Sequence, residues 1–466
     1  MRFLLINAHQ SIEIISPTQK KKKQKNPWAQ PLGLLYIAGV LEQQGHRVEI
    51  IDLVAEDLTE DTLRRALSGV DAVGISVDSF AYNNVKSICK TIKQNDKHLP
   101  IVIGGPHCTY YPEKSLIDIP DADISVEGEG EEVIKEIIMS FEGKKTLSEI
   151  PGIHYRQDKD ICVGQPPKII TNLDDIPFPA RHLVTKYTYG KFGKNYLYKP
   201  KFTSLATTRG CPFQCRFCSR HIVGMNSFRQ RSVENITSEL QMINDDYGSV
   251  MMVDDNFLTD TKRVHALMDN IISMGLDLEI VVQGARVDTA DTELYKKMKK
   301  AGVKAINFGL ESGNQDVLDY YKKGIQLEQS RKAVKLSHKM GFLTVGNFII
   351  GAPMETKQLI KRTFRFAYSL PIDLVSFTIL QYNYHSDLWD EACKEGKISL
   401  KDGYSIPADS KRGLGKVPYE ELQKLQKQAI QTFYLRPNYL LRQLYRSIKT
   451  RDFTLLAMLY YAKSLL

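Results

Sequence analysis

The chain has 466 residues, too many for one ordinary domain, and its 42% hydrophobic and 25% charged residues are typical of globular proteins. No run of about 18 consecutive apolar residues occurs, so we expect no membrane-spanning helix, and the N-terminal MRFLLINAHQ predicts a first strand and not a signal peptide. Seven cysteines, three of them within eight positions, indicate a metal site in a reducing compartment and not a disulfide framework. We therefore expect a cytoplasmic protein.

Basic residues outnumber acidic ones by 63 to 54, which gives a formal charge of +9. Such an excess invites a nucleic-acid partner, but none of the known nucleic-acid-binding motifs occurs in the sequence, so we do not expect one. The excess lies in the lysine run at 20–25 and in the C-terminal tail. The run is typical of a solvated loop, with attraction of an anion as the alternative.

Residues 1–145 alternate β-rich runs with amphipathic stretches, which predicts five βα units and a parallel, doubly wound, Rossmann-like α/β domain. The predicted strands are 2–7, 47–52, 72–76, 101–105 and 123–127, and the predicted helices are 33–44, 60–67, 84–95 and 131–141. Ligands of such sheets bind outside the carboxyl ends of the strands, where the strand order reverses. No G-x-G-x-x-G follows the first strand, which disfavours a dinucleotide.

Residues 146–198 are rich in proline and predict a linker with short strands. From 199 to 400 the alternation resumes, with strands at 204–208, 250–255, 278–284, 304–310, 343–351 and 374–379 and helices at 232–246, 260–273, 291–300, 326–340 and 357–369. This order predicts a partial TIM-type (β/α)6 barrel with its functional residues at the carboxyl ends of the strands. Residues 401–466 predict a helical extension in which basic and aromatic residues interleave.

The segment RGCPFQCRFCSR carries Cys211, Cys215 and Cys218 directly after the first strand predicted for the barrel. Iron–sulfur clusters are held by thiolates, so three cysteines on one loop would bind three irons of a cubane and leave the fourth iron open. An open position separates a catalytic metal site from a structural one. Because His221 follows Cys218 by three positions, a Cys₃His zinc site is the alternative.

The cysteine spacing, the aromatic residue before the last cysteine and the preceding Arg-Gly resemble the radical S-adenosylmethionine (SAM) superfamily. The resemblance implies that the open iron of a [4Fe–4S] cluster binds SAM and that reduction of the cluster yields a 5′-deoxyadenosyl radical. The candidate SAM-binding residues follow the next four strands: Asp254, Asp255, Gln283, Arg286, Glu311, Ser312 and Gly351. We expect the acidic pair to meet the SAM ammonium, or alternatively to cap the following helix. We expect Arg286 to pair with the SAM carboxylate, Glu311 to bind the ribose hydroxyls and Gly351 to let the backbone approach adenine.

In the N-terminal region, GGPHCTYYPE (104–113) and VEGEGEE (126–132) follow the fourth and fifth strands. Together with 31–52 and 173–181 they resemble the cobalamin-binding radical SAM subfamily, over roughly residues 1–400. The candidate cobalamin-binding residues are Ser76, Ser79, Gly104, Gly105, His107, Thr109, Glu127, Gly128 and Glu129. The subfamily commonly lacks the Asp-x-His-x-x-Gly motif that ligates cobalt, and so does this chain, so we expect cobalamin with its nucleotide base detached and no assured protein ligand to cobalt. For His107 we expect a hydrogen bond within its loop, with cobalt ligation as the alternative.

The subfamily implies methyl transfer to an unactivated carbon or phosphorus centre of a small-molecule or lipid-like substrate, with electrons from a donor such as flavodoxin or ferredoxin. A cobalamin-dependent cyclase or rearrangement enzyme without methyl transfer is the alternative. A tRNA-modifying methylthiotransferase is more remote, because its extra N-terminal cysteine set and RNA-binding module are missing from the sequence. Tyr382, Tyr384 and Trp389 are expected to shape the substrate pocket or to pack the barrel mouth, and we expect the final helix to pack and not to anchor a membrane.

Overall fold

The computed structural model describes residues 1–8, 27–192 and 195–450, except for the side chains at 192, 195, 221, 449 and 450. These residues form two compact units: 1–189 with 222–225 and 229–231, and the remainder from 190 onward. The lysine run at 20–25 and the apolar tail after 450 lie outside the described residues. Among the described helices, none combines the length and the apolarity that crossing a bilayer requires.

The first unit is built on a seven-stranded sheet. Its strands are β1 (Arg2–Asn7), β2 (Arg47–Asp52), β3 (Ala72–Ser76), β4 (Ile101–Gly104), β5 (Ile124–Val126), β6 (Ile153–Gln157) and β7 (Asp160–Val163). Its helices are α1 (Leu32–Gln43), α2 (Glu60–Ala66), α3 (Tyr82–Asn95), α4 (Pro106–Tyr110), α5 (Pro112–Asp118) and α6 (Gly130–Phe141). The first three strands begin and end at the predicted residues, whereas α4 and α5 occupy a stretch where no helix was predicted.

The strand order β2-β1-β3-β4-β5-β6-β7 confirms the predicted doubly wound domain. The first five strands are parallel, and the order reverses between β1 and β3, because β1 pairs with both β2 and β3. The apolar runs of these strands are buried, as expected of a parallel sheet covered on both faces. Strands β6 and β7, from the stretch predicted as a linker, extend the sheet in antiparallel register.

The chain from residue 190 onward contains more helices and strands than the part before it. The strands are β8 (Lys191–Phe192), β9 (Asn195–Tyr196), β10 (Phe202–Leu205), β11 (Thr208–Arg209), β12 (Arg229–Gln230), β13 (Ser249–Met252), β14 (Glu279–Ala285), β15 (Val303–Glu311), β16 (Leu343–Ile350), β17 (Leu374–Ile379), β18 (Gln381–Asn383) and β19 (Ser405–Pro407). The helices are α7 (Arg220–Val223), α8 (Val233–Asp246), α9 (Thr261–Met274), α10 (Thr292–Lys300), α11 (Gln315–Tyr320), α12 (Leu327–Lys339), α13 (Lys357–Ser369), α14 (Asp387–Lys394), α15 (Tyr419–Leu435) and α16 (Pro437–Thr450).

Six parallel strands in the order β10-β13-β14-β15-β16-β17 form the sheet of the second unit, which confirms the predicted partial (β/α)6 barrel. Side chains alternate between the two faces of each strand. Large apolar residues such as Val250, Val282 and Phe308 join one continuous core with the helices. The alternate positions include polar residues such as Gln283 and Asn307, so this face of the sheet is suited to a polar ligand.

The C-terminal helices pack against the last strand of this sheet. The Val375 N–H of β17 donates to the Tyr434 hydroxyl of α15 at 3.1 Å, and the Gln426 side chain donates to the Phe377 carbonyl oxygen. Trp389 and Tyr382 are buried in the same core, which supports the packing interpretation of these aromatic residues. One side of α16 carries exposed apolar residues: Leu441, Leu444, Tyr445 and Ile448.

Candidate active site

The three cysteines of the motif lie on the loop between β11 and α7, which follows the first strand of the six-stranded sheet. All seven cysteines of the chain are free, and these three are partly buried. Main-chain donors serve two of their thiols: Phe213 N–H donates to Cys211, and Arg220 N–H donates to the Sγ of Cys218 at 3.4 Å. Such donors stabilise the thiolate form that binds iron, so the loop fits a cluster.

Burial raises the pKa of all three thiols, that of Cys218 to about 11. The positive charges of Lys323 and Arg286 oppose this rise at Cys211 and Cys215. Thiols must lose their protons to bind metal, and nearby cations favour that loss. The surroundings of the loop therefore favour metal binding.

The zinc alternative rests on a fourth ligand, His221, whose side chain lies outside the described part of the structure. Within the described ranges, no three His, Cys, Asp or Glu side chains converge closely enough to hold one metal ion. In a cubane, each thiolate binds a different iron, so cluster ligands need not converge on one point.

The other residues of the cysteine loop anchor it to the segments that follow α11 and β14. Arg216 N–H donates to the Tyr321 carbonyl oxygen at 3.0 Å, and the Phe217 ring meets the Tyr321 ring edge-on at 5.0 Å between centroids. The Arg286 guanidinium lies over the Phe213 ring, 3.7 Å from its centroid. These contacts fix the loop through the residues between its cysteines.

Asp254, the first of the acidic pair, holds the start of this loop. Its carboxylate oxygen Oδ1 accepts hydrogen bonds from Thr207 N–H at 2.9 Å, from the Thr207 hydroxyl at 3.0 Å and from the Thr208 hydroxyl at 2.6 Å. Burial raises the pKa of Asp254, and these hydrogen bonds oppose the rise. Its second oxygen, Oδ2, is buried and has no hydrogen-bond partner among the described residues, so it remains available to a ligand.

The alternative role of the acidic pair, capping the next helix, is wrong. Helix α9 begins at Thr261, and its N-cap is Asp260, whose side chain accepts from Arg263 N–H at 3.1 Å. Asp255 lies 3.7 Å from the Nε of Arg220, beside the cysteine loop.

The two candidates at the end of β14 already have partners in the protein. Arg286 binds the carboxylate of Asp288 through its Nε at 3.1 Å and its Nη2 at 2.8 Å. Gln283 accepts a hydrogen bond from Asn307 Nδ2 at 2.5 Å. Since the Arg286 fork is engaged by Asp288, the geometry supports a role in holding the Phe213 ring more directly than the predicted pairing with SAM.

Glu311 ends β15 in the left-handed region, with φ of 59°, a conformation uncommon outside glycine and often associated with functional sites. Its Oε1 accepts from Lys323 Nζ at 2.7 Å in a pair that is about nine-tenths buried. The sequence reasoning missed Lys323. The signal for it was slight: one of two adjacent lysines directly before Gly324.

Ser312 and Gly351 face other protein groups. The Ser312 hydroxyl is fully buried and lies 3.2 Å from the Thr363 hydroxyl of α13. A Cβ at Gly351 would lie 3.1 Å from Leu422 and 3.2 Å from Ala408, both in the C-terminal segment. Both residues therefore pack within the unit, and their contacts with SAM stay a prediction.

Glu355, which the sequence reasoning also missed, lies just beyond β16. Its Oε2 accepts from Gly351 N–H at 2.8 Å and from Ala352 N–H at 2.9 Å, while its buried Oε1 finds no partner in the described part of the chain. Burial raises its pKa to about 7, against the effect of these two amides. The available sequence signal for Glu355 was an acidic residue four positions after Gly351, which ends the predicted strand.

Several buried polar atoms near the carboxyl ends of the strands lack partners within the described ranges: Asp254 Oδ2, both side-chain atoms of Asn256, Tyr321 Oη and Glu355 Oε1. Unsatisfied buried polar groups are unfavourable and are rare in native proteins. A ligand with amino, carboxylate, hydroxyl and adenine groups could satisfy atoms of this kind. The residues of the second unit therefore fit SAM.

In the first unit, the candidate residues follow β3, β4 and β5 at one edge of the sheet. The Ser79 hydroxyl lies 3.1 Å from His107 Nδ1, and the His107 ring is fully buried and stacked 5.4 Å from Tyr82. Burial lowers the pKa of His107 to about 4, so the ring is neutral near pH 7. Ser76 ends β3 beside these residues.

Thr109 joins the loops that follow β4 and β5. Its hydroxyl donates to the Gly105 carbonyl oxygen at 3.1 Å and accepts from Gly128 N–H at 3.1 Å. Gly105 has φ of 105°, and a Cβ there would lie 3.1 Å from the Val77 carbonyl oxygen. The need for glycine at 105 therefore arises from its positive φ and from the close approach of the loop after β3.

The acidic candidates also contact the protein. The Glu127 carboxylate lies 3.7 Å from His154 Nε2 in β6. Glu129 accepts from Ile170 N–H at 2.9 Å and from Arg229 Nη1 at 2.7 Å. These carboxylates therefore stabilise the edge of the unit, whether or not they also contact a ligand.

Phe80, in the loop after β3, is a residue that sequence reasoning missed. It is 67% exposed, and the Asp78 carboxylate fixes its loop by accepting from Phe80 N–H at 2.7 Å. A Cβ at Gly104 would meet only ordinary contacts, with Val126 at 3.6 Å. A flat apolar macrocycle can lie on an exposed aromatic ring beside a glycine-lined strand end, so this edge fits cobalamin.

Comparisons with known proteins identify two domain families in the chain. Residues 205–367 match the radical SAM superfamily, and residues 28–138 match the B12 binding domain. The chain is 32% identical over 438 residues to an uncharacterized methyltransferase of Pyrococcus horikoshii, covering 93% of this chain and 94% of that protein. It is 29% identical over 429 residues to the cytidylyl-2-hydroxyethylphosphonate methyltransferase of Streptomyces wedmorensis, covering 80% and 79%.

Among solved structures, the cobalamin-dependent SAM radical enzyme OxsB, with aqua-cobalamin and SAM bound, matches with a TM-score of 0.71 at 19% identity. The match covers 97% of this chain and 71% of that one. The fold is thus that of a B12-binding domain followed by a radical SAM domain.

The two domains define an enzyme that uses a [4Fe–4S] cluster, SAM and cobalamin. The chain belongs to the cobalamin-binding branch of the radical SAM superfamily, among its methyltransferases. The predicted family, fold, cofactors and enzyme class are confirmed, and methyl transfer is better supported than cyclisation or methylthiolation.

Proposed function

We propose that the enzyme methylates an unactivated carbon or phosphorus centre of a small-molecule or lipid-like substrate. When bound, the cluster and one SAM would supply a carbon radical that removes a hydrogen atom from the substrate, and cobalamin would pass on the methyl group of a second SAM, which leaves as S-adenosylhomocysteine. The observation that supports this most directly is the cysteine loop. It lies at the same strand ends as unpartnered buried atoms of Asp254 and Glu355, in a chain that also carries a cobalamin-binding sheet.

The protein groups have distinct roles in this proposal. Cys211, Cys215 and Cys218 bind three irons. Asp254 holds the loop through Thr207 and Thr208 and offers its free oxygen to the ammonium of SAM. Glu311, held through one carboxylate oxygen, offers the other to the ribose hydroxyls.

On the cobalamin side, the strand ends carry the proposed contacts: Ser76, Ser79, Phe80, Gly104 and the loop 127–129. The His107 ring is fully buried, stacked on Tyr82 and engaged with Ser79 through Nδ1, so we assign it to the protein scaffold and not to cobalt.

We infer that electrons come from a small donor protein such as flavodoxin or ferredoxin. The cluster must be reduced in each catalytic cycle, and seven free cysteines suit a reducing compartment. We therefore propose a cytoplasmic location.

The test uses cobalamin-loaded, anaerobically reconstituted full-length enzyme, a chemical reductant and SAM carrying a CD₃ group. It is incubated separately with the lipid extract and the water-soluble extract of a strain that lacks the gene. We expect substrate-dependent 5′-deoxyadenosine and S-adenosylhomocysteine in equal amounts and a product heavier by one CD₃ group. Substrate-dependent 5′-deoxyadenosine without S-adenosylhomocysteine would refute methyl transfer and favour a cyclase or rearrangement enzyme.

A pair of variants completes this test. Glu311→Ala should lower both products, because both draw on SAM bound in the barrel. Lys322→Met removes a cation whose side chain is 64% exposed and should leave both products unchanged. Normal product formation by Glu311→Ala would contradict the assignment of Glu311 to SAM.

A further inference from the structure

Two adjacent lysines face opposite environments at the end of α11. Lys322 is 64% exposed and lies 3.5 Å from Asp387, whereas Lys323 is 10% exposed and pairs with Glu311. Positive φ angles of 50° at Lys322 and 66° at Gly324 flank this change of direction. The turn directs one lysine to solvent and the next into the site.

The backbone of β15 leaves room for the buried pair. A Cβ at Gly309 would lie 2.6 Å from Glu311 Oε1 and 3.0 Å from Lys323 Nζ, so any other residue there would displace the ends of these two side chains. Glu311 itself adopts a left-handed backbone conformation, which costs energy for a residue with a side chain. Three features therefore accommodate this ion pair: the left-handed backbone at Glu311, the absence of a side chain at Gly309 and the turn that directs Lys323 inward.

Lys323 also acts on the cysteine loop. The segment that carries it packs on this loop: Tyr321, two residues before Lys323, accepts from Arg216 N–H at 3.0 Å and meets the Phe217 ring edge-on at 5.0 Å, and both of these residues lie between Cys215 and Cys218. Arg286 is neutralised by Asp288 in direct contact. Lys323 pairs with Glu311 in a buried site beside the segment that packs on the loop.

We propose that Lys323 is a positioning residue for SAM and the fixed counter-charge of the cluster: it holds the Glu311 carboxylate in place and makes the cluster easier to reduce. Reduction adds one electron to a centre that already carries thiolate charge, and a buried cation nearby stabilises the product. The proposal rests on the assignment of the cysteine loop to the cluster, and it does not depend on the substrate or on methyl transfer.

The decisive measurement is the midpoint potential of the cluster, by redox titration followed with electron paramagnetic resonance, in reconstituted full-length protein without SAM. Lys323→Met removes the cation and should shift the midpoint to a more negative potential. Glu311→Gln removes the facing negative charge and should shift it in the opposite direction. Lys323→Arg keeps the charge and should stay close to the wild type, and Lys322→Met is the matched control for a neighbouring exposed lysine.

Iron content shows that each variant has assembled its cluster, and opposite shifts separate electrostatics from general damage, which would move both variants alike. Equilibrium binding of SAM should weaken on the order of tenfold in Lys323→Met, because Glu311 loses a hydrogen bond between charged groups. A midpoint in Lys323→Met equal to that of Lys322→Met, or shifts of the same sign in Lys323→Met and Glu311→Gln, would overturn the proposal. If Lys323→Met fails to fold, Lys323→Gln removes the same charge while keeping a polar partner for Glu311, and its midpoint is judged by the same criterion.

Discussion

Changing Glu355 to Gln should alter the pH dependence of the stability of the second unit. The carboxyl group is fully buried, and burial raises its pKa from an ordinary 4.5 to about 7. A change of this size corresponds to about 3 kcal/mol. Because the folded state holds this proton more tightly than the unfolded state, the contribution is present below about pH 4.5 and is lost as the pH rises through about 7.

Tryptophan fluorescence can isolate the second unit. The chain has two tryptophans, Trp28 in the first unit and the buried Trp389 in the second. In a Trp28→Phe background without SAM, urea unfolding followed at Trp389 gives the free energy of unfolding between pH 5 and pH 8. It is measured for the protein with Glu355 and for the Glu355→Gln variant. We expect the wild type to lose about 2 to 3 kcal/mol relative to Glu355→Gln over this range.

Histidines and other groups titrate equally in both proteins, so they cancel in the difference. Glutamine keeps an oxygen for the amides of Gly351 and Ala352, which limits other effects of the substitution. If the free energies of unfolding of the wild type and Glu355→Gln change in parallel from pH 5 to pH 8, within about 0.5 kcal/mol, burial does not raise the pKa of Glu355 and the reasoning is refuted.

Replacing any of the three loop cysteines by Ala should abolish the absorbance of the reconstituted cluster, whereas Cys393→Ala should retain about four irons per chain by analysis; an intact cluster in the triple variant would disprove the assignment. Phe80→Ala should lower cobalamin retention on gel filtration, with Ile117→Ala, another exposed apolar residue of the first unit, as the control. Equal cobalamin retention in Phe80→Ala and Ile117→Ala would show that the Phe80 ring does not contact cobalamin. Asp254→Ala breaks three hydrogen bonds to a buried carboxylate, so urea unfolding should show a loss of about 3 kcal/mol together with lower iron content; a loss below about 0.5 kcal/mol would contradict its anchoring role.

Hydrophobic periodicity predicted the main architecture because both sheets are parallel and covered by helices. Their strands are continuous apolar runs, and each crossover needs a helix of readable length. For β6 and β7, in the proline-rich stretch, the pattern predicted short strands but not that they extend the first sheet in antiparallel register. Strands this short carry too little apolar pattern to show which sheet they join.

The site was predicted where chemistry is local in sequence. Three cysteines within eight positions indicate a cluster site from the sequence alone. The partners of Arg286 and Glu311, in contrast, depend on how separate strand ends and turns meet in the fold. The sequence shows that Arg286 follows a strand, but not that its guanidinium already donates hydrogen bonds to the Asp288 carboxylate. Lys323 escaped notice for the same reason: only the turn that follows α11 distinguishes it from the exposed Lys322.

Strand β17 is the last strand of an open sheet, and its outer edge is met by side chains of α15 instead of by another strand. Main-chain groups on an uncovered edge can pair with the same edge of another copy. A shortened chain that ends before Tyr419 would lose the Tyr434 and Gln426 contacts and expose that edge. Such chains should form intermolecular β-structure and precipitate, even though every cofactor-binding residue named above is still present in them.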